Sequence, residues 1–266
     1  MTQEYGSTLR MSTESYTPGH SANASDFMAK RSLHSHGEFF LPYLTAGVSV
    51  LDCGCGPGSI TLDIAKAVRP GRVIGVDFGV SQIEQATARA KSEGVENLSF
   101  EVADCYALPF ESDSFDRVFS HALLEHLSDP VRALKAMYRT LKPGGAIGIC
   151  SPDWGGFILS PPSLELSRAV EAYTSIQSDN GGDVYVGRKL GLHLAAAGFQ
   201  NVRMTARYEC YPSLEFIGDY LALQLERQGD ARSAESLRSW SLKEGGMFAQ
   251  AWVSAVAYKN AAYKNA

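Results

Sequence analysis

The stretch VLDCGCGPGS, residues 50–59, decides the fold. A short apolar run at 48–51 ends in Asp52, glycines follow at 54, 56 and 58, and residues 60–68 (ITLDIAKAV) then take up helical spacing. Glycine lacks a Cβ, so its backbone can approach a ligand closely and adopt positive φ without strain. Strand, glycine turn and helix in that order open a crossover unit of a parallel sheet. The dinucleotide fingerprint GxGxxG would put its third glycine where Ser59 stands, so the nicotinamide pattern fails. Asp52 sits where a pyrophosphate would lie. A carboxylate there repels a diphosphate and suits a ligand with an ammonium or sulfonium group.

Outward from the loop the alternation continues. Residues 73–76 form a second apolar run ending in Asp77, and 81–92 read as a helix with Ser81 as its cap and Gly94 past its end. A third strand at 98–102 precedes Asp104, a fourth spans 115–119, a helix covers 130–141, and a fifth strand follows at 146–150. The expected fold is doubly wound α/β with a mostly parallel sheet, its strands apolar throughout because helices cover both faces. After Asp153 the rhythm breaks. Residues 154–189, with Pro161-Pro162, Gly181-Gly182 and several aromatics, read as an inserted helical cap. A helix at 189–197, a strand at 201–211, helices at 214–228 and 231–243 and a strand at 248–258 complete the pattern.

Toward the N-terminus, residues 1–20 have no period and read as a flexible arm, while 21–44 read as a helix stopped near Pro42. The expected organisation is a lid at 1–44, a core at 45–153, the cap at 154–189, a segment at 190–260 completing the sheet, and a tail at 261–266. The pentapeptide AYKNA occurs at 257–261 and again at 262–266, and no function attaches to it.

Composition excludes several classes. The 266 residues carry 24 Lys+Arg against 29 Asp+Glu, a net charge of −5, and no Lys/Arg cluster, so nucleic acid is not an expected partner. No apolar run approaches the roughly 18 residues that span a bilayer. The polar N-terminal stretch has no apolar h-region, which argues against a secretory signal. Five scattered cysteines, an odd number, fit reduced thiols in a cytoplasmic protein. Cys53 and Cys55 form a CxC, but flanking glycines and the lack of a partner pair favour loop residues over a metal site. A homodimer is compatible with the sequence, which does not fix the oligomeric state.

Two more carboxylates extend the glycine loop's chemistry. Asp77 lies about 20 residues after the loop, where an acid accepts hydrogen bonds from ribose hydroxyls. Asp104 follows the third strand, where an acceptor can take the exocyclic amine of adenine. Acids at three consecutive strand ends, Asp52, Asp77 and Asp104, converge on one crevice.

The runs VLDCGCGPGSITLDIA, VIGVDFGVSQIEQA, VADCYALPF, SFDRVFSHALLEHLSDP and LKPGGAIGI together resemble the class I S-adenosylmethionine-dependent methyltransferases, nearest their ubiquinone/menaquinone-type and small-molecule branch, over about residues 45–150. The resemblance implies S-adenosyl-L-methionine as cofactor. It implies Asp52, Gly54 and Gly56 around the methionine part, Asp77 on the ribose with Phe78 and Gln82 beside the adenosine, Asp104 and Cys105 at the adenine, and Ser120 and His121 beside the sulfonium. It also implies a seven-stranded sheet whose last strand runs antiparallel. In this branch residues of the arm close over the cofactor, which implies roles for Tyr16 and Arg31; a guanidinium fork suits the methionine carboxylate. The implied function is methyl transfer to a small-molecule acceptor. A relative turned to another activity, cyclase or regulatory, is the alternative, and an NAD-dependent oxidoreductase is disfavoured by Ser59 and Asp52.

Methyl transfer is an in-line displacement that positioning and desolvation can drive. A base is needed only if the acceptor must lose a proton. His126, Asp153 and His121 are the candidates near the sheet edge, with His126 also readable as a structural histidine at a helix end and His121 as a pocket wall. Metal-dependent transfer would need clustered carboxylate and amide ligands, whereas only Asp153 follows the fifth strand. Ser-His-Ala-Leu at 120–123 departs from the NPPY-type tetrapeptide of amino-methylating nucleic-acid enzymes. Cys53, Cys55 and Cys105 occupy cofactor-motif positions rather than an arsenite site. Trp154, Phe157, Tyr173, Tyr185, Tyr211 and Phe216 suggest an apolar pocket for a medium-sized, partly aromatic or lipophilic acceptor.

Overall fold

The computed structural model describes residues 28–211 and 213–261; the arm at 1–20 with Tyr16, and the second AYKNA copy, lie outside the described residues. Strands Val50–Cys53 (β1), Val73–Asp77 (β2), Leu98–Val102 (β3), Phe115–His121 (β4), Leu141–Ser160 (β5), Gln200–Cys210 (β6) and Met247–Tyr258 (β7) form a single seven-stranded sheet. The helices are Leu33–His36 (α1), Ser59–Ala67 (α2), Val80–Ser92 (α3), Pro130–Thr140 (α4), Leu164–Asp179 (α5), Val186–Ala196 (α6), Leu214–Arg227 (α7) and Ala231–Ser241 (α8), with 3-10 turns at Glu38–Tyr43 and Leu124–His126.

The strand order is β3-β2-β1-β4-β5-β7-β6. The first five strands pair in parallel, and β7 runs antiparallel to both β5 and β6. From β1 the chain winds outward through β2 and β3, then returns to place β4 on the other side of β1. That reversal is a topological switch point, and it opens a crevice at the carboxyl ends of the central strands.

Helices cover both faces, which is why β1 is buried along its whole length. One face packs Leu51, Ile74, Val118 and Ile147 against Leu134 and Met137 of α4 and Leu190 and Leu194 of α6. The other packs Val50, Val73 and Phe119 against Leu62 and Ile64 of α2 and against Phe40. Each such large apolar side chain contributes roughly 1.5–3 kcal/mol by leaving water. A third apolar cluster joins α5, α7 and α8 with Trp154 and Phe248, so the far ends of β5 and β7 carry a helical cap.

Several elements differ from their sequence expectation. Within 21–44 the described part is not one helix: Gly37 closes α1 by donating its N–H to Leu33 O, and the chain restarts as the 3-10 turn that contains Pro42. A Cβ at Gly37 would lie 2.6 Å from Leu33 Cδ1, so a side chain there would press on the buried Leu33. Helix α3 begins at Val80 with Gly79 in the cap position, and Ser81 is inside it rather than capping it. Strand β5 extends well past residue 150 to Ser160, bulging between Asp153 and Ile158, because β7 pairs with it on both sides of the bulge. Asp129, which the sequence reading does not single out, caps α4, accepting from Arg132 N–H at 3.0 Å with Pro130 in the first turn.

Candidate functional site

At the switch point the chain leaves β1 through glycines 54, 56 and 58, all at positive φ (78°, 51° and 76°), before entering α2. Gly58 is the tightest of the three. A Cβ there would lie 2.7 Å from Phe100 Cζ and 2.8 Å from Ala86 Cβ. The loop is tied to the end of β2: Gly56 N–H donates to Asp77 Oδ2 at 2.9 Å, and Gly79 N–H donates to Asp77 Oδ1 at 2.8 Å. A carboxylate has about four acceptor sites, so two amides leave room for ribose hydroxyls.

These elements frame a cavity of about 590 Å³. Asp52, Gly54 and Gly56 line its base, and Asp77, Phe78 and Gln82 its β2 side. Asp104 and Cys105 line it beyond β3, and Arg31, His121 and His126 close the opposite side. Gln82 is buried, while Phe78 is 64% exposed and stands open for a planar ring to stack on. Asp104 Oδ1 accepts the Tyr106 N–H at 2.8 Å, which fixes the turn that presents its carboxylate. The residues thus supply flexible backbone, acceptors and an exposed aromatic face, and this donor and acceptor set fits an adenosine-bearing sulfonium amino acid.

Asp52 is 2% exposed and accepts a 2.7 Å hydrogen bond from Thr61 Oγ1. Burial raises its pKa to about 7, opposed by the Thr61 hydroxyl and assisted by the nearby Asp77 charge. Its carboxylate is thus held near the point of ionisation, ready for a cationic ligand to complete it.

Two expected residues are placed elsewhere. Ser120 is buried in β4 between Phe119 and His121, which both line the cavity; it does not line it, because side chains alternate along a strand. Asp153 is not brought to His126. Its carboxylate accepts from Arg188 Nε and NH2, each at 2.7 Å, and from the backbone amides of Arg188 and Gly155 at 3.1 and 2.9 Å. These hydrogen bonds overcome burial and hold Asp153 below the usual carboxylate range. It ties down the start of α6 and lines neither pocket. Tyr16 lies outside the described residues.

The two cavity histidines are poor bases. Burial, with Arg31 adding repulsion, lowers His126 to about 3. His121 is likewise pushed well below its ordinary value, stacked on Trp252 at 4.8 Å and edge-on to His36 at 5.2 Å. Both are neutral imidazoles near pH 7, and a base far below the operating pH takes a proton inefficiently.

Beyond His126 a second, smaller pocket of about 60 Å³ lies under the cap. Met28, Arg31, Ala122 and His126 line both spaces and so stand at the boundary between them. Trp154, Tyr173 and Tyr211 line the small pocket, whereas Phe157, Tyr185 and Phe216 do not. Sequence reasoning missed Glu125, which lines this pocket and is 3% exposed. Its Oε1 lies 3.8 Å from His126 Nε2, and burial raises it to about 7 while the nearby Ser151 hydroxyl and Arg31 pull the other way. The signal was present in ALLEHLSDP, an acid and a histidine side by side just after the fourth strand.

Fold and crevice together define the class: a doubly wound α/β protein whose ligand cavity opens at the switch point of its central strands. A sequence profile described as "Methyltransferase domain" matches residues 44–184. An uncharacterized methyltransferase of Schizosaccharomyces pombe is 30% identical over 208 residues, 75% of this chain and 74% of that protein. An uncharacterized 37.1 kDa protein in transposon TN4556 of Streptomyces fradiae is 38% identical over 154 residues, 58% of this chain, and the match spans only 44% of that relative's length. The solved structure of Haemonchus contortus phosphoethanolamine N-methyltransferase 2 in complex with S-adenosyl-L-methionine has the same fold, with a TM-score of 0.56, 21% identity, and coverage of 81% of this chain and 49% of that one. The chain belongs to the methyltransferase-domain family, a class of S-adenosylmethionine-dependent transferases.

Proposed function

We propose that the protein transfers the methyl group of S-adenosylmethionine to a small-molecule acceptor held under the cap. The carrying observation is the boundary of Met28, Arg31, Ala122 and His126 shared by the large cavity and the cap pocket, which sets the two spaces side by side. When bound, the cofactor supplies an electrophilic methyl carbon. Asp77, Phe78, Gln82 and Asp104 hold its adenosine half, and Asp52 with the glycine loop faces its charged amino-acid half. Arg31 stands at that boundary as counter-charge for the carboxylate. His121, Trp252 and the cap exclude water from the meeting point, so orientation and desolvation carry most of the acceleration.

The test is calorimetric titration with S-adenosylmethionine, S-adenosylhomocysteine and NAD, followed by a labelled-methyl screen over a metabolite library read by mass. Binding of the first two but not NAD, and one or more products heavier by the labelled methyl, is the expected result. Cofactor binding with unlabelled, rearranged products would instead assign a cyclase-type activity.

A further inference from the structure

We propose that Glu209, on the edge strand β6, is a positioning residue for the cofactor: through His36 it latches the segment 28–36 across the sheet and so sets Arg31 at the carboxylate end of S-adenosylmethionine. The inference rests on the reading that Arg31 meets that carboxylate; the latch itself stands on its own geometry.

The first observation is how the segment is fastened. Met28 O accepts from Ser59 Oγ at 3.3 Å, and Leu33 N–H donates to Asp63 Oδ2 at 3.0 Å. Both partners belong to α2, the helix that follows the glycine loop. The other end crosses to β6, where His36 Nε2 lies 3.1 Å from Glu209 Oε1. Strands β4, β5 and β7 separate β1 from β6, so the segment bridges the two halves of the sheet.

The second observation is that the latch is complete with a neutral imidazole. Ser35 Oγ lies 2.7 Å from His36 Nδ1. With Nε2–H donating to the carboxylate, Nδ1 is left as the acceptor for the Ser35 hydroxyl, and both ring nitrogens are satisfied. Burial lowers the pKa of His36, which is 7% exposed, and so favours that neutral form. Burial pushes Glu209 the other way, but the His36 hydrogen bond, with Arg31 and Arg207 nearby, holds it below the usual carboxylate range. Glu209 Oε2 has no hydrogen-bond partner among the described residues, so the hold of this carboxylate is its bond to His36.

The third observation is what the latch sets. His36 stands edge-on to His121 at 5.2 Å and to Trp252 at 6.2 Å, and those two rings stack on each other at 4.8 Å. The Arg31 guanidinium lies over the Trp252 ring, 5.5 Å from its centroid, where the electron-rich face attracts a cation. Contacts therefore run without a break from Glu209 through His36 and Trp252 to Arg31. Arg31 and His121 line the large cavity, whereas Glu209 and His36 line neither space, so their effect on a ligand passes through the residues they hold. Without the latch the segment keeps its ties to α2 and loses its hold at β6. The ligand must then order Arg31 itself, which weakens ligands that carry the carboxylate and spares those that lack it.

The test uses the full chain and two ligands, S-adenosylhomocysteine and 5′-methylthioadenosine, the second of which lacks the amino-acid carboxylate. By calorimetry, Glu209→Ala should weaken the first at least fivefold and the second less than twofold. Glu209→Gln keeps a carbonyl acceptor for His36 Nε2–H and should bind both within twofold of wild type. His36→Ala should also weaken the first ligand at least fivefold, and the double variant should bind no more weakly than His36→Ala, because both changes remove one contact. Should Glu209→Ala fail to fold, His36→Ala carries the two-ligand comparison. Hydrogen exchange adds a readout independent of ligand: in the latch-opened variant amides of 28–36 should exchange faster while those of β1 and α4 stay unchanged. Equal loss for both ligands, no loss for either, additive losses in the double variant, or unchanged exchange at 28–36 would overturn the latch. If the wild type binds the two ligands equally, the reading of Arg31 falls and the positioning role with it. A wild-type preference for S-adenosylhomocysteine that the variants keep overturns the latch alone.

Discussion

Asp77 Oδ2 accepts the Gly56 N–H at 2.9 Å, so the end of β2 clamps the middle of the glycine loop. The same residue lines the cavity, and we propose that the side chain that shapes the loop also receives the ribose. Asp77→Ala should weaken S-adenosylhomocysteine at least tenfold, since hydrogen bonds to a charged group are worth about 1.5–3 kcal/mol. Calorimetry on the folded variant checks this, and an unchanged dissociation constant would remove Asp77 from the cofactor site.

Asp52 should make cofactor binding depend on pH. Its folded pKa is raised from 3.8 to about 7, so the neutral form is favoured by folding. The sign follows: its stabilising contribution is complete below about pH 4 and is lost as pH rises through about 7. A cationic ligand selects the ionised form and binds tighter across the same window. S-adenosylmethionine affinity should rise from pH 6 to 8 with proton release, seen as a buffer-dependent calorimetric enthalpy, and Asp52→Asn should flatten both. An affinity independent of pH in the wild type would contradict this.

The Asp153–Arg188 pair should matter for stability and not for chemistry. Asp153→Asn should cost about 1–3 kcal/mol through lost charge-assisted hydrogen bonds, with transfer rates of the folded enzyme within threefold of wild type. Because Asp153 titrates below its ordinary value in the fold, its contribution is present above about pH 4 and disappears as pH falls through the folded pKa. Thermal midpoints between pH 3 and 7 test the sign. A rate loss of a hundredfold at normal stability would restore Asp153 to the catalytic list.

His126→Ala should slow single-turnover transfer less than tenfold and leave its pH profile unmoved, because the imidazole is already neutral down to about pH 3. A loss of 10²–10⁴-fold with an altered profile is the signature of a general base and would reverse that expectation.

Gly58→Ala should destabilise the fold by about 1–3 kcal/mol, combining a positive φ with a Cβ 2.7 Å from Phe100 Cζ. Chemical denaturation measures it, and a neutral result would mean that Phe100 yields freely.

The cofactor half of the site was legible because it depends on local order. Asp52, Asp77 and Asp104 follow consecutive strands, and parallel strands with crossover helices bring their ends to one edge whatever else the chain does. The acceptor half was not legible for the opposite reason. Asp153 looks like a free acid until Arg188, 35 residues later, turns back to bind it. Glu125 stands beside His126 in the sequence, but what holds its backbone is Gln177, 52 positions away. The length of β5 was hidden in the same way, since its glycine-rich continuation is a strand only because β7 lies beside it.

The position of β7 also orders the birth of the molecule. It is the last strand in sequence, yet it lies between β5 and β6 in the sheet. While the chain emerges from the ribosome, β5 must wait with one open edge and β6 with no partner strand, the kind of unpaired backbone that invites stray pairing. The cofactor crevice, finished by β4, can be shaped early, whereas the cap has no floor until Phe248 arrives. A nascent chain stopped just short of β7 would therefore be a half-built enzyme with two adhesive borders, and chaperone demand should peak in that interval of synthesis.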